Sequence, residues 1–495
     1  MRLDRLLATI GLEDHRASGV EVAGLTLDSR QVADGILFVA IQGSVGHGMD
    51  YIDAAIASGA SAVIYDDWDG PVPNMIPVLH VPGLRRQIGC VAHAFYGNPC
   101  SGMRVVGVTG TNGKTTTVHF IAQLADQLGL KAARIGTLGV SVGAEKIIES
   151  DRTTPDAITL ASIFAALRDK GVNFVAMEVS SHALDQGRVD GIPFTVGVMT
   201  NLTRDHLDYH QTMAAYGEAK ARLFRDFDLQ AVVFNVDDFF CRTLTEHARP
   251  GTVTTYGYGA EHIDIQAIQP VAHGSTIHVS INGVGYELKT SLLGAFNSSN
   301  MMAAIAVITT LFPEDIEKVL TFTPKLQAAP GRMEWFRAPN FATVVIDYAH
   351  TPDALENAIK TCRDHCDGEV WSVFGCGGDR DVGKRPLMGR VASEWSDRVV
   401  LTSDNPRSES PQKIVDEIRT GMTKAPVLEE LDRAQAIRFV VENAATDDWV
   451  LLAGKGHENT QTIGQTTAVY SDRAEVARLF GLMNSEVQHA SSCIE

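Results

Sequence analysis

One segment constrains the fold of this chain more than any other: a glycine-rich loop between an apolar run and a helix-like pattern. The run Met-Arg-Val-Val-Gly-Val-Thr at 103–109 has the length and composition of a buried strand. The loop Gly-Thr-Asn-Gly-Lys-Thr-Thr at 110–116 follows directly, and a helix is predicted from Thr115. Such a unit offers backbone N–H groups, a lysine and hydroxyls, the groups that bind nucleotide phosphates and Mg²⁺.

The loop departs from the usual phosphate-binding spacing, because the position five before Gly113 is Val108 and not glycine. A glycine-rich turn with an incidental lysine is therefore the alternative interpretation. The strand before the loop and the helix after it favour phosphate binding.

The length of the chain and the positions of its Pro- and Gly-rich segments predict three α/β domains. The chain has 495 residues, about three times a typical domain length near 150. Two Pro- and Gly-rich segments, at 96–102 and 322–331, each precede a fresh apolar run. We therefore expect domains at 1–102, 103–326 and 327–495.

Charge and cysteine usage narrow the class of protein. The chain carries 42 Lys and Arg against 60 Asp and Glu, a net charge of −18, which is the wrong sign for general attraction to nucleic acid. The seven cysteines are scattered along the chain, which is not typical of a disulfide framework. The N-terminus lacks a signal-peptide pattern, and the longest apolar stretch, about twelve residues, is too short for a bilayer. We expect a cytoplasmic protein.

The third predicted domain repeats one sequence pattern. An apolar run is followed by a loop rich in glycine and charged residues, and then by a helical pattern. Its apolar runs lie at 343–347, 370–374, 399–402 and 449–453. Loops after the strands of a parallel sheet share one edge, which is the usual place for a ligand. We therefore expect Asp347, Arg380, Arg407 and Glu458 to converge in a Rossmann-like domain.

The central domain carries candidate metal ligands. Glu178 ends a predicted buried strand, where it could help to hold Mg²⁺ or simply cap the next helix. His206 follows another strand and could add a ligand, although His206 and His210, four apart, could merely share a helix face. By spacing alone, Lys220 looks like a solvated helix lysine.

Together these features resemble the Mur ligase family, and the likeness runs in order along almost the whole chain. The residues that carry it are the loop 110–116, Glu178, His206, Lys220, Asn297, Asp-Tyr-Ala-His at 347–350 and Asp-Asn-Pro-Arg at 404–407. The shortened phosphate loop is the form that this family uses. The resemblance implies a UDP-sugar-binding N-terminal domain, a central ATP-binding P-loop domain with a parallel sheet, and a C-terminal Rossmann-like domain that binds an amino acid.

The resemblance also implies a reaction. It is strongest to the members that use ATP to add meso-2,6-diaminopimelate to the D-glutamate γ-carboxylate of UDP-N-acetylmuramoyl-L-alanyl-D-glutamate, in cytoplasmic peptidoglycan precursor synthesis. An acyl phosphate is the expected intermediate, since phosphorylation turns an unreactive carboxylate into an acylating group. The expected partners are these small molecules alone, with no nucleic acid and no membrane span, and the protein is expected to be a monomer.

The family pattern assigns a role to each matching residue. Expected ATP-binding residues are Gly110, Thr111, Asn112, Gly113, Lys114, Thr115, Thr116, Asn297, Arg332 and His350. Expected Mg²⁺ ligands are Thr115, Glu178, His206 and Lys220, the last as an N6-carboxylysine formed with CO2. Expected catalytic residues are Lys114, Glu178, His206 and Lys220. The UDP-sugar dipeptide is expected at Leu27, Ser29, Ser44, Val45, Gly46, Thr153, Thr154, Ser180, Gln186 and Arg188. Diaminopimelate is expected at Arg380, Asp404, Asn405, Pro406, Arg407, Gly454 and Glu458.

Charge supports the amino-acid assignment. Arg407 suits the distal carboxylate that lysine lacks, and Glu458 suits the distal ammonium. Without the family, Asp-Asn-Pro is only a turn signal and Gly-Lys-Gly at 454–456 only a flexible loop. The alternatives are a lysine-adding member, a folylpolyglutamate synthetase-like ligase, and a nucleotide-gated scaffold that joins no substrates.

Overall fold

The structure, a computed structural model, describes residues 1–43, 46–150, 152–246 and 252–481. The chain divides into two units, Met1–Thr254 and Thr255–Glu495, which are described separately below. Among the described residues, no helix combines the length and the apolar character needed to cross a membrane.

The first unit begins with a small parallel sheet in the order β1-β2-β3-β4. Alternate residues of its strands face two separate apolar clusters, one containing Leu37 and Ile64 and the other Phe38 and Val63. Both faces are therefore covered, as expected for a parallel sheet. The elements are α1 (Leu3–Ala8), β1 (Gly24–Thr26), β2 (Ile36–Ala40), α2 (Ile52–Ala57), β3 (Ala62–Tyr65), β4 (Val78–His80) and α3 (Leu84–Phe95).

A larger sheet follows in the same unit, with the order β11-β10-β5-β9-β6-β7-β8. Strand β5 lies between β10 and β9 and is parallel to both, so the loop that follows β5 opens at the centre of the sheet edge. The strands are β5 (Arg104–Thr109), β6 (Ala132–Gly136), β7 (Gly139–Val142), β8 (Glu145–Ile148), β9 (Phe174–Glu178), β10 (Val196–Met199) and β11 (Ala231–Asn235). The helices are α4 (Lys114–Gln127), α5 (Ala157–Asp169), α6 (Ser181–Asp185), α7 (Leu207–His210), α8 (Met213–Arg225) and α9 (Phe239–Thr245).

Strand β12 (Thr252–Gly257) spans the boundary between the units, and an antiparallel segment follows it. The segment consists of β13 (Ile263–Val271), β14 (Gly274–Ile281) and β15 (Val284–Thr290). Helices α10 (Ala295–Leu311) and α11 (Ile316–Thr321) come next. The run of α10 from Met301 to Ile308 is entirely buried, which explains its uninterrupted apolar sequence.

The second unit ends in a six-stranded sheet with the order β16-β17-β21-β18-β19-β20, in which only β16 is antiparallel. Its strands are β16 (Glu334–Phe336), β17 (Thr343–Asp347), β18 (Val370–Phe374), β19 (Arg398–Leu401), β20 (Leu428–Glu429) and β21 (Trp449–Ala453). The remaining elements are α12 (Pro352–His365), α13 (Lys384–Trp395), α14 (Pro411–Arg419), α15 (Arg433–Asn443), the hairpin β22 (Thr460–Ile463) and β23 (Thr466–Val469), and α16 (Asp472–Phe480).

These sheets confirm the predicted fold class, an α/β protein with a central parallel-sheet domain and a Rossmann-like C-terminal domain. The strands predicted at 343–347, 370–374 and 449–453 have those bounds, and the strand predicted at 399–402 lies one residue earlier.

Candidate active site

The phosphate loop joins β5 to α4 and is held against the end of β10. Thr111 donates its backbone N–H to the carbonyl oxygen of Asn201 at 2.9 Å, and Thr200 donates its hydroxyl to the carbonyl oxygen of Asn112 at 2.6 Å. Gly110 has φ +148°, and a Cβ there would overlap the Thr200 hydroxyl, so only glycine fits. The backbone of the loop is thereby fixed at the N-terminus of α4, where N–H groups favour anions.

Two lysines converge on one carbonyl of this loop. Lys114 donates to the carbonyl oxygens of Gly110 and Thr111, both at 2.9 Å, and Lys220 donates to the Gly110 oxygen at 2.8 Å. Lys220 is fully buried, so the expectation of a solvated helix lysine was wrong. Burial, and then the Lys114 cation, hold the pKa of Lys220 well below its ordinary value. The Lys220 amine is therefore driven toward its neutral, nucleophilic form.

Tyr216, one turn before Lys220 in α8, forms part of the same buried site. Its ring centroid lies 4.5 Å from the Lys220 Nζ, and its hydroxyl lies 3.2 Å from the Thr111 hydroxyl. Sequence reasoning missed Tyr216, although its position four residues before Lys220 places both on one helix face.

Glu178 ends β9 as predicted, and it is buried with 1% exposure. Its carboxylate accepts hydrogen bonds from the backbone N–H of Thr137 at 2.8 Å and from the Thr137 hydroxyl at 3.2 Å. The next helix, α6, is capped by Ser180, so the alternative role of Glu178 as a helix cap was wrong. The two bonds hold a carboxylate at the sheet edge that carries the phosphate loop.

His206 precedes α7 with a left-handed backbone, φ +52°, and its side chain is 45% exposed. Its pKa lies below the ordinary value because of burial, with Lys114 and Lys220 adding to the effect and Asp205 opposing it. His210 differs, since it is buried and its Nε2 lies 3.0 Å from the Ser181 hydroxyl. The two histidines therefore differ in exposure and in polar partner, although both rings pack against those of His182, at centroid distances of 4.9 and 5.3 Å, and Tyr216, at 6.0 and 5.2 Å.

These side chains fit Mg²⁺ only in part. Over the described ranges, no group of three or more His, Cys, Asp or Glu side chains is placed to hold a metal ion. Mg²⁺ usually takes one or two protein carboxylates together with substrate phosphates and water. The Glu178 carboxylate and the Thr115 hydroxyl, in the first turn of α4, are suitable oxygen donors. Lys220 as an ammonium would repel the ion and would fit only as a carboxylated, anionic group.

Five residues predicted to hold the dipeptide lie in one hydrogen-bonded region beside Glu178. Arg188 donates to the carbonyl oxygen of Thr154 at 3.0 Å and to Oε1 of Gln186 at 2.9 Å. Ser180 donates its backbone N–H to the Thr154 hydroxyl at 3.1 Å, and the Thr153 hydroxyl lies 3.1 Å from that of Thr137. This region contains a half-buried guanidinium suited to a substrate carboxylate.

The N-terminal candidates are less fully described. Leu27 packs partly buried against the sheet, and Ser29 begins a short 3₁₀ helix. Gly46 accepts a hydrogen bond from the backbone N–H of Gly43 at 2.9 Å. Ser44 and Val45 lie outside the described residues.

In the second unit, the loops after β18, β19 and β21 meet. Asn405 donates its side-chain N–H to Oε2 of Glu458 at 2.8 Å, and Asp404 lies against Gly454. Arg407 donates to the carbonyl oxygen of Gly378 at 2.7 Å.

Arg380 follows in the same loop and lies beside Gly377, as does Arg407, while Pro406 packs against Gly378. The structure therefore brings the predicted amino-acid-binding residues to one edge of the sheet. They include guanidinium groups and a carboxylate.

Asp347 lies at the same sheet edge, on β17. Its carboxylate accepts a hydrogen bond from the backbone N–H of Met333 at 2.8 Å, and burial raises its pKa while Arg332 opposes that shift. The Arg332 guanidinium lies over the Tyr348 ring at 4.5 Å, and Nδ1 of His350 lies 2.8 Å from the carbonyl oxygen of Tyr348. Arg332 and His350, both predicted to bind ATP, therefore flank one tyrosine.

Asn297, the other predicted ATP ligand of this unit, is buried in α10. Its side chain donates to the carbonyl oxygen of Leu293 at 2.9 Å.

Fold and site together define a class: an α/β protein with a glycine-rich loop of the phosphate-binding type after a central parallel strand, and a cluster of charged side chains at the sheet edge of a Rossmann-like domain. Comparison with known proteins makes the assignment specific. Three family profiles match, namely the Mur ligase middle domain over 108–308, the Mur ligase glutamate ligase domain over 331–456 and the Mur ligase catalytic domain over 21–95.

Known relatives match over nearly the full length. UDP-N-acetylmuramoyl-L-alanyl-D-glutamate–2,6-diaminopimelate ligase of Alkalilimnicola ehrlichii is 44% identical, over 97% of this chain and 99% of its own. The protein of the same name from Coxiella burnetii is 41% identical, over 93% and 96%. A solved structure of a ligase of that name is 36% identical with a TM-score of 0.68, over 94% of this chain and 95% of its own. The chain belongs to the Mur ligase family and is an amide-bond-forming ligase.

Proposed function

We propose that this protein uses ATP to join meso-2,6-diaminopimelate to the D-glutamate γ-carboxylate of UDP-N-acetylmuramoyl-L-alanyl-D-glutamate. The observation that carries the proposal is the meeting of these charges at one sheet edge: Arg380 and Arg407 both lie beside Gly377, and Asn405, on the loop of Arg407, donates to Glu458. An amino acid with both a carboxylate and an ammonium at its distal end matches that pair of charges. The near full-length relatives with diaminopimelate in their names support the same substrate.

The reaction would proceed in two steps. A γ-carboxylate oxygen attacks the γ-phosphorus of ATP, so that an O–P bond forms, the bond to the bridging oxygen breaks, and ADP leaves. The neutral amine of diaminopimelate then attacks the acyl carbon and forms a C–N bond. The nitrogen of the tetrahedral intermediate loses a proton, and the C–O bond to phosphate breaks, which leaves the amide and free phosphate. Phosphorylation is needed because a free carboxylate has no usable leaving group.

The phosphate loop would bind the nucleotide through residues 110–116, with Lys114 beside the β- and γ-phosphates. Because Lys114 is held between two carbonyl oxygens, it is positioned before ATP arrives. Thr115, Glu178 and His206 would hold Mg²⁺, which when bound neutralises charge on the phosphates. Electrostatic stabilisation of this kind is the main way that such sites accelerate phosphoryl transfer.

Lys220 would act as an N6-carboxylysine. Its neutral amine would attack CO2, forming a C–N bond and releasing a proton, and the carbamate would convert repulsion of Lys114 into attraction. We expect the intact mass to rise by one CO2 in bicarbonate, and Lys220→Ala to lose activity that a short carboxylic acid partly restores. The surface variant Lys170→Ala serves as control. Full activity of Lys220→Ala, with no mass change in wild-type protein, would remove this role.

The remaining assignments complete the proposal. Residues 1–102 would bind the UDP-sugar, 103–326 ATP and 327–495 the amino acid, in a cytoplasmic monomer. Further ATP contacts would come from Asn297, Arg332 and His350. Contacts to the UDP-sugar dipeptide would come from Leu27, Ser29, Ser44, Val45, Gly46, Thr153, Thr154, Ser180, Gln186 and Arg188. Contacts to diaminopimelate would come from Arg380, Asp404, Asn405, Pro406, Arg407, Gly454 and Glu458.

The test is phosphate release by purified protein with ATP, Mg²⁺ and UDP-N-acetylmuramoyl-L-alanyl-D-glutamate, with meso-diaminopimelate or L-lysine added. We expect strong stimulation by diaminopimelate alone, with the tripeptide product identified by mass. Preference for lysine would keep the ligase reaction but overturn the assigned substrate. Stimulation by neither amino acid would overturn the proposed function.

A further inference from the structure

Lys455 lies between Gly454 and Gly456 in the loop after β21, and its side chain is completely buried. Its ammonium donates to Oε2 of Glu458 at 3.0 Å, to the carbonyl oxygen of Thr460 at 2.7 Å and to Oδ1 of Asn405 at 3.5 Å. An ammonium has three N–H donors, and these three acceptors use all of them. Lys455 therefore has no donor left for a substrate, and its role is internal.

The contacts of Lys455 determine how Glu458 is presented. Oε2 of Glu458 accepts from both Lys455 and Asn405, whereas Oε1 accepts no hydrogen bond from the described part of the chain. The carboxylate is 28% exposed. Two donors on one oxygen restrict rotation of the group and leave the second oxygen for a ligand.

The same lysine connects Glu458 to the loop that carries Arg407. Oδ1 of Asn405 also accepts from the backbone N–H of Thr462 at 3.0 Å, and Arg407 donates its backbone N–H to the Thr462 carbonyl oxygen at 3.0 Å. Gln461 donates to the carbonyl oxygen of Asp404 at 2.7 Å. Strand β22 therefore backs the whole 404–407 segment, and Lys455 holds the start of that strand through Thr460.

We propose that Lys455 is the positioning residue of the amino-acid pocket: it holds Glu458 by one oxygen so that the other meets the distal ammonium of the substrate, at a set distance from Arg407. This inference rests on the proposed function. A buried ion pair is a poor source of stability, because desolvation offsets the attraction. Its clearest effect here is geometric, since it ties two substrate-binding loops to one hairpin.

The first test is Lys455→Met, which keeps the length of the side chain and removes its donors. We expect KM for diaminopimelate to rise by about tenfold or more, while KM for ATP and for the UDP-dipeptide stays within about twofold. Lys360→Met, which removes a partly exposed lysine that is paired with Glu356 and lies over the Trp395 ring in the same domain, should leave all three unchanged. An unchanged KM for diaminopimelate in Lys455→Met, or an equal rise for all three substrates, would overturn the inference.

A double-mutant cycle tests whether Lys455 acts through Glu458. In a Glu458→Gln background, Lys455→Met should add little to the KM already raised by Glu458→Gln, because the carboxylate it positions is gone. Fully additive effects would mean that Lys455 acts elsewhere.

A crystal structure of Lys455→Met gives a readout that does not depend on turnover. The Glu458 carboxylate should leave the side-chain N–H of Asn405, and an unchanged 2.8 Å contact would overturn the inference. Turnover of diaminopimelate by the wild-type protein tests the proposed function separately. A failure of the proposed function can therefore be told apart from a failure of the role of Lys455.

Discussion

Two lysines donate to one carbonyl oxygen at this site, and each disfavours the charge of the other. Lys114 and Lys220 both donate to Gly110, and the Lys114 cation contributes to the lowered pKa of Lys220. Like charges at this distance are tolerated only where one group is neutral or modified. In either case the proposed phosphate contact falls to Lys114.

Arg407 is the residue that should separate diaminopimelate from lysine. It has a left-handed backbone, φ +51°, and its guanidinium is held by Gly378. We expect Arg407→Ala to lower kcat/KM for diaminopimelate by about 100-fold or more, because a bidentate carboxylate contact is lost, with KM for ATP unchanged. Phosphate release measured against amino-acid concentration checks this, with the exposed Arg419→Ala as control. Near-normal kinetics in Arg407→Ala would refute the pocket assignment.

At the scale of elements, α3 packs backbone against backbone on the turn at 187–191. Gly89 faces the carbonyl of Asp190 so closely that a Cβ would overlap it, and Arg86 donates to the Asp190 carboxylate at 3.3 Å. The contact places the last helix of the N-terminal region directly on the segment that carries Gln186 and Arg188.

The close approach predicts that Gly89→Ala destabilises the first unit by about 1–3 kcal/mol, since an added methyl must push the two backbones apart. Urea unfolding measures this change. Gly285→Ala is the matched control, because nothing lies within 4 Å of a Cβ at that position and its backbone is not left-handed. Equal urea midpoints for Gly89→Ala and wild-type protein would show that the two backbones can move apart with no loss of stability.

The same helix carries a histidine that should make this unit sensitive to acid. His93 is buried, its Nδ1 lies 3.8 Å from the Cys100 sulfur, and its ring centroid is 6.0 Å from that of Phe164. Burial lowers the pKa of His93 from 6.5 to about 4. Between pH 6.5 and pH 4, His93 is therefore protonated in the unfolded chain but largely neutral in the folded chain. The free energy of unfolding falls as the pH drops through this range.

We expect His93→Leu to flatten this part of the stability curve, with the pH-dependent difference from wild-type reaching at most about 3 kcal/mol near pH 4. Urea midpoints at several pH values give the slope. His15→Leu, at a side chain that is 94% exposed, should leave the slope as in wild-type protein. A slope in His93→Leu equal to that of wild-type protein would mean that His93 titrates normally.

At the scale of the whole molecule, ligand binding should appear as stability. A ligand that binds only the folded state at 100 times its Kd stabilises by about 2.7 kcal/mol. We expect Tm to rise with Mg²⁺ and a non-hydrolysable ATP analogue, and with UDP-N-acetylmuramoyl-L-alanyl-D-glutamate. Diaminopimelate should add a further rise in wild-type protein but not in Arg407→Ala, and folate should add none. A rise with folate in place of the UDP-dipeptide would favour the folylpolyglutamate alternative.

The net charge of −18 also acts at this scale. A negative net charge disfavours anionic ligands in general, so the proposed binding of phosphates near Lys114 and of a carboxylate near Arg380 and Arg407 would depend on these local cations.

Much of the fold was predictable from the sequence, because each strand and its following loop is a local pattern. The strand before the phosphate loop, the end of β9 at Glu178 and four strands of the C-terminal sheet were placed to within a residue. Convergence of the loops at 375–380, 404–407 and 454–458 was also predictable, since parallel strands bring their carboxyl ends to one edge.

The surroundings of single side chains were not predictable in the same way. Lys220 was expected to be solvated and is buried. Gly-Lys-Gly at 454–456 could be interpreted as a flexible loop, although the Lys455 ammonium donates to three acceptors. Thr137, which holds the Glu178 carboxylate, gave no signal at all. Each of these contacts depends on which segments the fold brings together.

The sequence by itself determined the α/β class and the order of strand, loop and helix, because periodicity and glycine placement act over short stretches of chain. It also determined the family, through the resemblance that its motifs carry in order along the chain. Only the tertiary structure decided that Lys220 shares the carbonyl of Gly110, 110 residues away, and that Asn405 meets Glu458, 53 residues away. Burial lowers the pKa of Lys220, and the hydrogen bond from Asn405 holds one oxygen of Glu458. No local pattern encodes them.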